Sequence, residues 1–226
     1  YALGSAKPFN AIDTTICMGA SISMGHGAQK IFDRSQSPMR VVSVLGDSTF
    51  FHTGINSLIN VAYNQSATVN VILDNRITGM TGHQENPGSG YTAKGEPTNL
   101  IEIDKLVTAL GFKHVRTVDP NDLQTLNETL DEFLALDEPS VLITRWPCAL
   151  KKFSAEDKEE FTGAFSVKYR VNQETCIGCR ICMGAGCPAL SFNQKLKKAQ
   201  IDRMQCLGCA VCAQICPKDA IGKEEK

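Results

Sequence analysis

Eight of the ten cysteines in this 226-residue chain fall between Cys176 and Cys216. They form two runs, C-x2-C-x2-C-x4-C-P starting at Cys176 and C-x2-C-x2-C-x3-C-P starting at Cys206. Three cysteines at two-residue spacing let one short loop offer three thiolates to one face of a compact inorganic group, and a more distant fourth closes the cage. A secreted disulfide scaffold would be short and cysteine-rich throughout, but residues 1–175 hold only Cys17 and Cys148. Those two read as small buried apolar residues rather than ligands. Zinc favours paired C-x2-C units, often with histidine, and no histidine follows His114.

The spacing resembles that of bacterial two-cluster ferredoxins, in which the fourth cysteine of each motif ligates the other motif's cluster. On that resemblance Cys176, Cys179, Cys182 and Cys216 hold one 4Fe–4S cluster, and Cys206, Cys209, Cys212 and Cys187 hold a second. Cys187 arrives one residue later than the pattern expects. The "MGAGC" that carries the extra residue has two glycines, which can adopt positive φ and absorb the insertion as a local bulge.

Before residue 150 the rhythm changes. "VVSVLGD" (41–47), "VNVILDN" (69–75), "HVRTVD" (114–119) and "SVLITR" (140–145) are short, β-branched apolar runs with polar ends, as expected of strands buried on both faces. Helical stretches are expected at 54–63, 100–110 and 121–136, the last opening on "DPND". Strands alternating with helices imply a parallel sheet in a layered α/β domain, whose ligands gather at the carboxyl ends of the strands. The expected organisation is therefore an α/β domain over 1–150, a charged, solvated linker over 151–168, and a small α+β ferredoxin-like domain over 169–226.

Two of the strands end in "LGDS" and "LDNR". One carboxylate, one amide oxygen and a backbone carbonyl make a sparse oxygen site of the kind Mg²⁺ uses when phosphates and water complete its shell. "GDS" also opens a helix, where free N–H groups favour phosphate. Gly46 to Asn75 spans thirty residues, which resembles the thiamine-diphosphate fingerprint of GDG followed by NN. Ser48 stands for the final glycine and Asp74 for the first asparagine. The resemblance implies that Asp47, Asn75 and the carbonyl of Ile77 bind Mg²⁺, with Gly46 and Ser48 near the diphosphate.

"CMGASISMGHG" (17–27), "GDSTFFHTGI" (46–55) and "TGMTGHQENPG" (78–88), followed by the ferredoxin-like tail, resemble the 2-oxoacid:ferredoxin oxidoreductase family over nearly the whole chain, on the side of its large subunits acting on indolepyruvate. Asn86 stands where that pattern expects a histidine before Pro87. The resemblance implies thiamine diphosphate, Mg²⁺ and two 4Fe–4S clusters. It implies oxidative decarboxylation of a 2-oxoacid, an aryl pyruvate such as indolepyruvate, to acyl-CoA, with electrons passing to ferredoxin. Cys17, Met18, Gly19 and Ala20 would contact the cofactor through backbone groups, and His52 is the candidate acid/base. His26 and His83 rank behind it.

Partners implied are a second (beta) subunit, ferredoxin, coenzyme A and a pyrimidine-binding domain outside this chain that supplies the activating glutamate, in a dimer of heterodimers. Competing readings are an electron-transfer module of another thiamine enzyme, a non-redox decarboxylase or carboligase with an unrelated tail, and an oxidoreductase for pyruvate or branched 2-oxoacids. A net charge of −1 argues against a nucleic-acid surface. Neither a membrane-length apolar run nor a signal peptide is evident, so a cytoplasmic location is expected. The chain opens on Tyr1 rather than Met, as expected of a piece of a longer polypeptide.

Overall fold

The computed structural model describes residues 2–224. Along the chain run α1 (Ala2–Ser5), α2 (Ala20–Arg34), β1 (Val42–Gly46), α3 (Asp47–Thr49), a π-helical turn (Phe50–Gly54), α4 (Ile55–Asn64) and β2 (Val69–Asp74). They are followed by α5 (Ile103–Ala109), β3 (His114–Val118), α6 (Leu123–Leu134), β4 (Ser140–Arg145) and α7 (Ala155–Glu160). The remainder comprises β5 (Tyr169–Val171), a 3₁₀ turn (Ile181–Ala185), β6 (Leu190–Asn193), β7 (Lys198–Ile201), α8 (Val211–Gln214) and β8 (Ile221–Lys223). Two compact units result, one of Ile16–Lys152 and one that joins Tyr1–Thr15 to Phe153–Lys226.

The first unit is built on a four-stranded sheet in the order β1-β2-β4-β3, with every neighbouring pair parallel. All four strands fall where the apolar runs place them. Alternation assigns the faces: Leu45, Ile72, Val141 and Ile143 pack with Ile22 of α2, Leu58 and Val61 of α4, and Ile103 and Val107 of α5. Val69, Val71 and Leu142 point the other way, against Phe133, Leu126 and Leu130 of α6. The central strands β2 and β4 are buried along nearly their whole length, as expected of strands covered on both faces, whereas β3, at the sheet edge, exposes Arg116 and Thr117 and departs from that expectation. Asp122 caps α6, accepting from Thr125 N at 3.2 Å, so that helix starts two residues later than expected.

Two helical features depart from expectation. The helix expected to open at "GDS" and the one expected from 54 are a single run, starting at Asp47 and passing through the π-helical turn into α4 without a break in helical conformation. Helix α2, fifteen residues long, has no counterpart among the expected helices because its glycines and polar positions blur the apolar period. Cys17, expected to be buried, is exposed in the turn that precedes α2.

The second unit contains two antiparallel strand pairs, β5–β8 and β6–β7. Its halves repeat one another. Cys176 N donates to Asn172 O and Cys206 N to Asp202 O, each at 3.0 Å. Lys198 Nζ donates to the carbonyl of Cys176, and Lys168 Nζ to that of Cys206. Gly178 and Gly208 are left-handed, and a Cβ on either would run into a carbonyl oxygen, that of Lys197 or of Val167. Segment 151–161, read from sequence as solvated linker, contains α7, closed by a capping box between Ser154 and Asp157.

Candidate functional site

At the carboxyl ends of β1 and β2 the chain gathers its buried charge. Asp47 and Asp74 are each 3% exposed and Asn86 is buried. Asp47 Oδ1 accepts from Ser48 N at 2.8 Å and Oδ2 from Asn86 Nδ2 at 3.0 Å. Both donors are neutral. Burial therefore pushes the Asp47 carboxyl up to about 6; the Asn86 hydrogen bond pulls against this and the nearby Asp74 charge adds to it. Asn86 is itself held, its Oδ1 accepting from Gly88 N at 2.9 Å.

Asp74 has a different environment. Arg145 Nε donates to its Oδ2 at 2.7 Å, Arg76 Nε stands 3.7 Å from the same oxygen, and Arg76 N donates to Oδ1 at 3.2 Å. The carboxylate that replaces an asparagine of the fingerprint is thus neutralised within the fold. Arg76 also donates through Nη1 to Gly88 O at 3.1 Å, linking the loop after β2 to the one that carries Asn86. Asn75 Oδ1 accepts from Ile77 N at 3.1 Å, and Ile77 is buried. A buried carboxylate with only neutral donors, next to a strand end bearing an amide oxygen, is a donor set that fits a hard divalent cation.

The Cys17–Ala20 turn lies beside the π-helical turn, since a Cβ on Gly19 would meet the Thr53 side chain. His52, on that same π-helical turn, is exposed, as is Met18. His83 and Cys148 come together instead, Nε2 to Sγ at 3.7 Å, and Cys148 N donates to Asn75 O at 3.2 Å. Cys148 is half-buried rather than fully buried. Sequence reasoning gave no role to Asn86, Arg76 or Arg145. An arginine closing the apolar run "SVLIT" is the only sequence signal for Arg145, and its partner Asp74 is set by the register of β4 on β2.

In the other unit the thiols sort into two sets. Burial raises the Cys182 thiol, followed by the influence of Cys179, Cys216 and Cys176. Burial likewise pushes Cys212 up to about 11, followed by Cys209, Cys187 and Cys206. Each set combines three cysteines of one motif with the fourth of the other. Cys176, Cys179, Cys182 and Cys216 border one cavity, otherwise lined largely by apolar groups such as Val171 and Ile221. A cavity ringed by four thiols fits an iron–sulfur cluster. Among the described residues no three His, Cys, Asp or Glu side chains converge as a site for a single ion. The extra residue before Cys187 is taken up by the 3₁₀ turn and by Gly186, left-handed at φ 60°.

Residues 1–144 match the family described as thiamine pyrophosphate enzyme, C-terminal TPP binding domain, and residues 168–217 match the 4Fe-4S dicluster domain. The chain is 40% identical to indolepyruvate oxidoreductase subunit IorA of Pyrococcus horikoshii, over 99% of this chain and 35% of that protein. It is 40% identical to the same subunit of Archaeoglobus fulgidus, over 98% of this chain and 34% of that protein. The chain thus spans about one third of the length of these curated relatives. A solved 2-oxoglutarate:ferredoxin oxidoreductase from Magnetococcus marinus, with 2-oxoglutarate, coenzyme A and succinyl-CoA bound, shares the fold. That likeness has a TM-score of 0.55 at 18% identity and covers 63% of this chain and 50% of the other.

Proposed function

The chain belongs to the thiamine pyrophosphate enzymes, carrying their C-terminal TPP-binding domain beside a 4Fe-4S dicluster domain, and on that premise we propose that it is part of a 2-oxoacid:ferredoxin oxidoreductase. The proposed reaction is oxidative decarboxylation of an aryl pyruvate, indolepyruvate in the first instance, to its acyl-CoA, with two electrons leaving one at a time for ferredoxin. The observation that carries this reading is Asp47: a buried carboxylate at a parallel-strand end with only neutral partners, in a chain that also sorts eight cysteines into two sets.

Thiamine diphosphate, when bound, supplies the carbanion chemistry that lets a 2-oxoacid lose CO₂. The residues of this chain hold and orient it. Asp47, Asn75 and the Ile77 carbonyl would ligate Mg²⁺ and through it the diphosphate, with Gly46 and Ser48 alongside. Asn86 fixes the Asp47 carboxylate, while the Asp74–Arg145 pair anchors the strand end that presents Asn75. The Cys17–Ala20 turn would offer backbone groups to the cofactor, and His52, which is exposed, is the proposed acid/base. Cys176, Cys179, Cys182 and Cys216 would hold one cluster and Cys206, Cys209, Cys212 and Cys187 the other.

The proposed assembly adds a beta subunit, a pyrimidine-binding domain outside these 226 residues, coenzyme A and ferredoxin, in a dimer of heterodimers. No helix among the described residues is long and apolar enough to cross a membrane. The test is anaerobic turnover by the complete enzyme with its partner subunit, thiamine diphosphate, Mg²⁺ and coenzyme A. Indolepyruvate should reduce ferredoxin faster than pyruvate or 3-methyl-2-oxobutanoate, and the 226-residue chain alone should bind cofactor weakly and reduce none. CO₂ release with no electron reaching ferredoxin would assign a non-redox decarboxylase instead.

A further inference from the structure

The internal repeat of the second unit makes its two thiol sets comparable position by position, and they are not equivalent. The residue after the second cysteine is Arg180 in the first motif and Ala210 in the second, both left-handed at φ 64°. Arg180 borders the cavity ringed by Cys176, Cys179, Cys182 and Cys216. Its guanidinium stacks 4.0 Å from the centroid of Phe192 and donates through Nη2 to Gln194 Oε1 at 3.4 Å, and Phe192 itself lies against Gly178 of the cavity wall. A second cation, Lys218, borders the same cavity, whereas the chain after Cys187 continues through Pro188 to buried Ala189. Asp219 and Glu174, acids close in sequence, are not among the residues bordering it. Lys198 and Lys168 are matched between the halves, since Lys198 binds the Cys176 carbonyl as Lys168 binds that of Cys206.

One further difference acts in the same direction. Ala220 N donates to Cys216 Sγ at 3.3 Å. An added electron makes a cluster more negative, so neighbouring cations and N–H donors to sulfur favour its arrival.

We infer that the cluster held by Cys176, Cys179, Cys182 and Cys216 has the higher reduction potential of the two, and that Arg180 and Lys218 act as positioning charges that set the gap. The inference rests on the two-cluster reading proposed above. A first electron delivered to this unit settles on that cluster, and the set containing Cys187 is reduced second.

The test is potentiometric titration, followed by electron paramagnetic resonance, of the full-length protein with its partner subunit, purified anaerobically and assayed for iron and sulfide. Two one-electron transitions are expected. Arg180→Gln should lower the upper one by about tenfold in electron partition, equivalent to about 59 mV for one electron, and leave the lower in place. Arg180→Lys should restore it, Lys218→Gln should shift the same transition downward, and Ala210→Arg should raise the lower one. Full iron and sulfide with coincident potentials, or an Arg180→Gln shift confined to the lower transition, would overturn the inference alone. Iron well short of two clusters would instead overturn the reading beneath it.

Discussion

Arg145 Nε donates to Asp74 Oδ2 at 2.7 Å, joining the last residue of β4 to the last residue of β2. The two face each other in the parallel register, so this ion pair forms as the sheet does. It leaves Asp74 charged but compensated. Asp47, at the end of the neighbouring strand, has no such cation among its hydrogen-bond donors, which are Ser48 N and the Asn86 amide.

Removing the Arg145 partner should therefore cost much more than a surface ion pair would. Arg145→Leu leaves Asp74 buried with Arg76 3.7 Å away, and a loss of about 3 kcal/mol is expected, the low end for a broken buried pair. Asp74→Asn in the same background should recover most of it. Trp146, the single tryptophan of the chain, follows Arg145 and reports on urea unfolding of this unit by its fluorescence. A loss below 1 kcal/mol would show the pair to be dispensable.

Asp47→Ala and Asn75→Ala should abolish Mg²⁺-dependent binding of thiamine diphosphate to the complete enzyme while leaving cluster absorbance unchanged. Each removes an oxygen from a sparse donor set, and the diphosphate charge is then uncompensated. Calorimetric titration of cofactor with and without Mg²⁺ measures it. Unchanged affinity in either variant would take that residue out of the site.

The Asp47 carboxyl, raised to about 6 by burial, gives that binding a pH dependence. A divalent cation requires the carboxylate, so below pH 6 binding must displace a proton, and affinity should fall by up to about tenfold per pH unit. Above the inflection it should level off. In Asn86→Ala the donor that opposes the rise is gone, and the inflection should move to higher pH. Cofactor titrations between pH 5 and 8 check both shifts, and an affinity flat across that range contradicts the assignment.

Anaerobically purified protein should contain about eight iron and eight sulfide per chain. Cys216→Ala should impair the cluster shared with Cys176, Cys179 and Cys182, and Cys187→Ala the one shared with Cys206, Cys209 and Cys212. Iron analysis and the resonance spectra of the reduced variants distinguish them. Stoichiometric zinc without sulfide would rule out the cluster reading.

Much of the architecture was legible before any coordinates. β-Branched runs ending in Asp, Asn or Arg mark all four parallel strands, because strands packed between helices are rich in β-branched apolar residues up to the end where the chain leaves the sheet. Cysteine spacing marks the 169–226 part of the second unit, since loops that bind clusters are short and local, but not residues 1–15, which join that unit rather than the α/β domain in which the sequence reading put them. Helix α2 was not legible, because Gly25 and Gly27 break its apolar stripe. Nor was the π-helical turn, which joins the helix opening at Asp47 to α4 in one run.

The sequence by itself determined which residues could serve as ligands, for ligand chemistry is a property of residue type and spacing within a few positions. Tertiary structure decided how each of them is held. The Asn86 amide reaches Asp47 from a distant loop, and Arg145 meets Asp74 only through the register of β2 on β4. Cys216 borders the same cavity as Cys176, Cys179 and Cys182 only because the two halves of the repeat pack against each other. Such pairings depend on contacts between segments far apart in the chain. Local propensity carries no information about them, and burial, which raises the Asp47 carboxyl above its ordinary range, exists only once the sheet and its helices have closed around it.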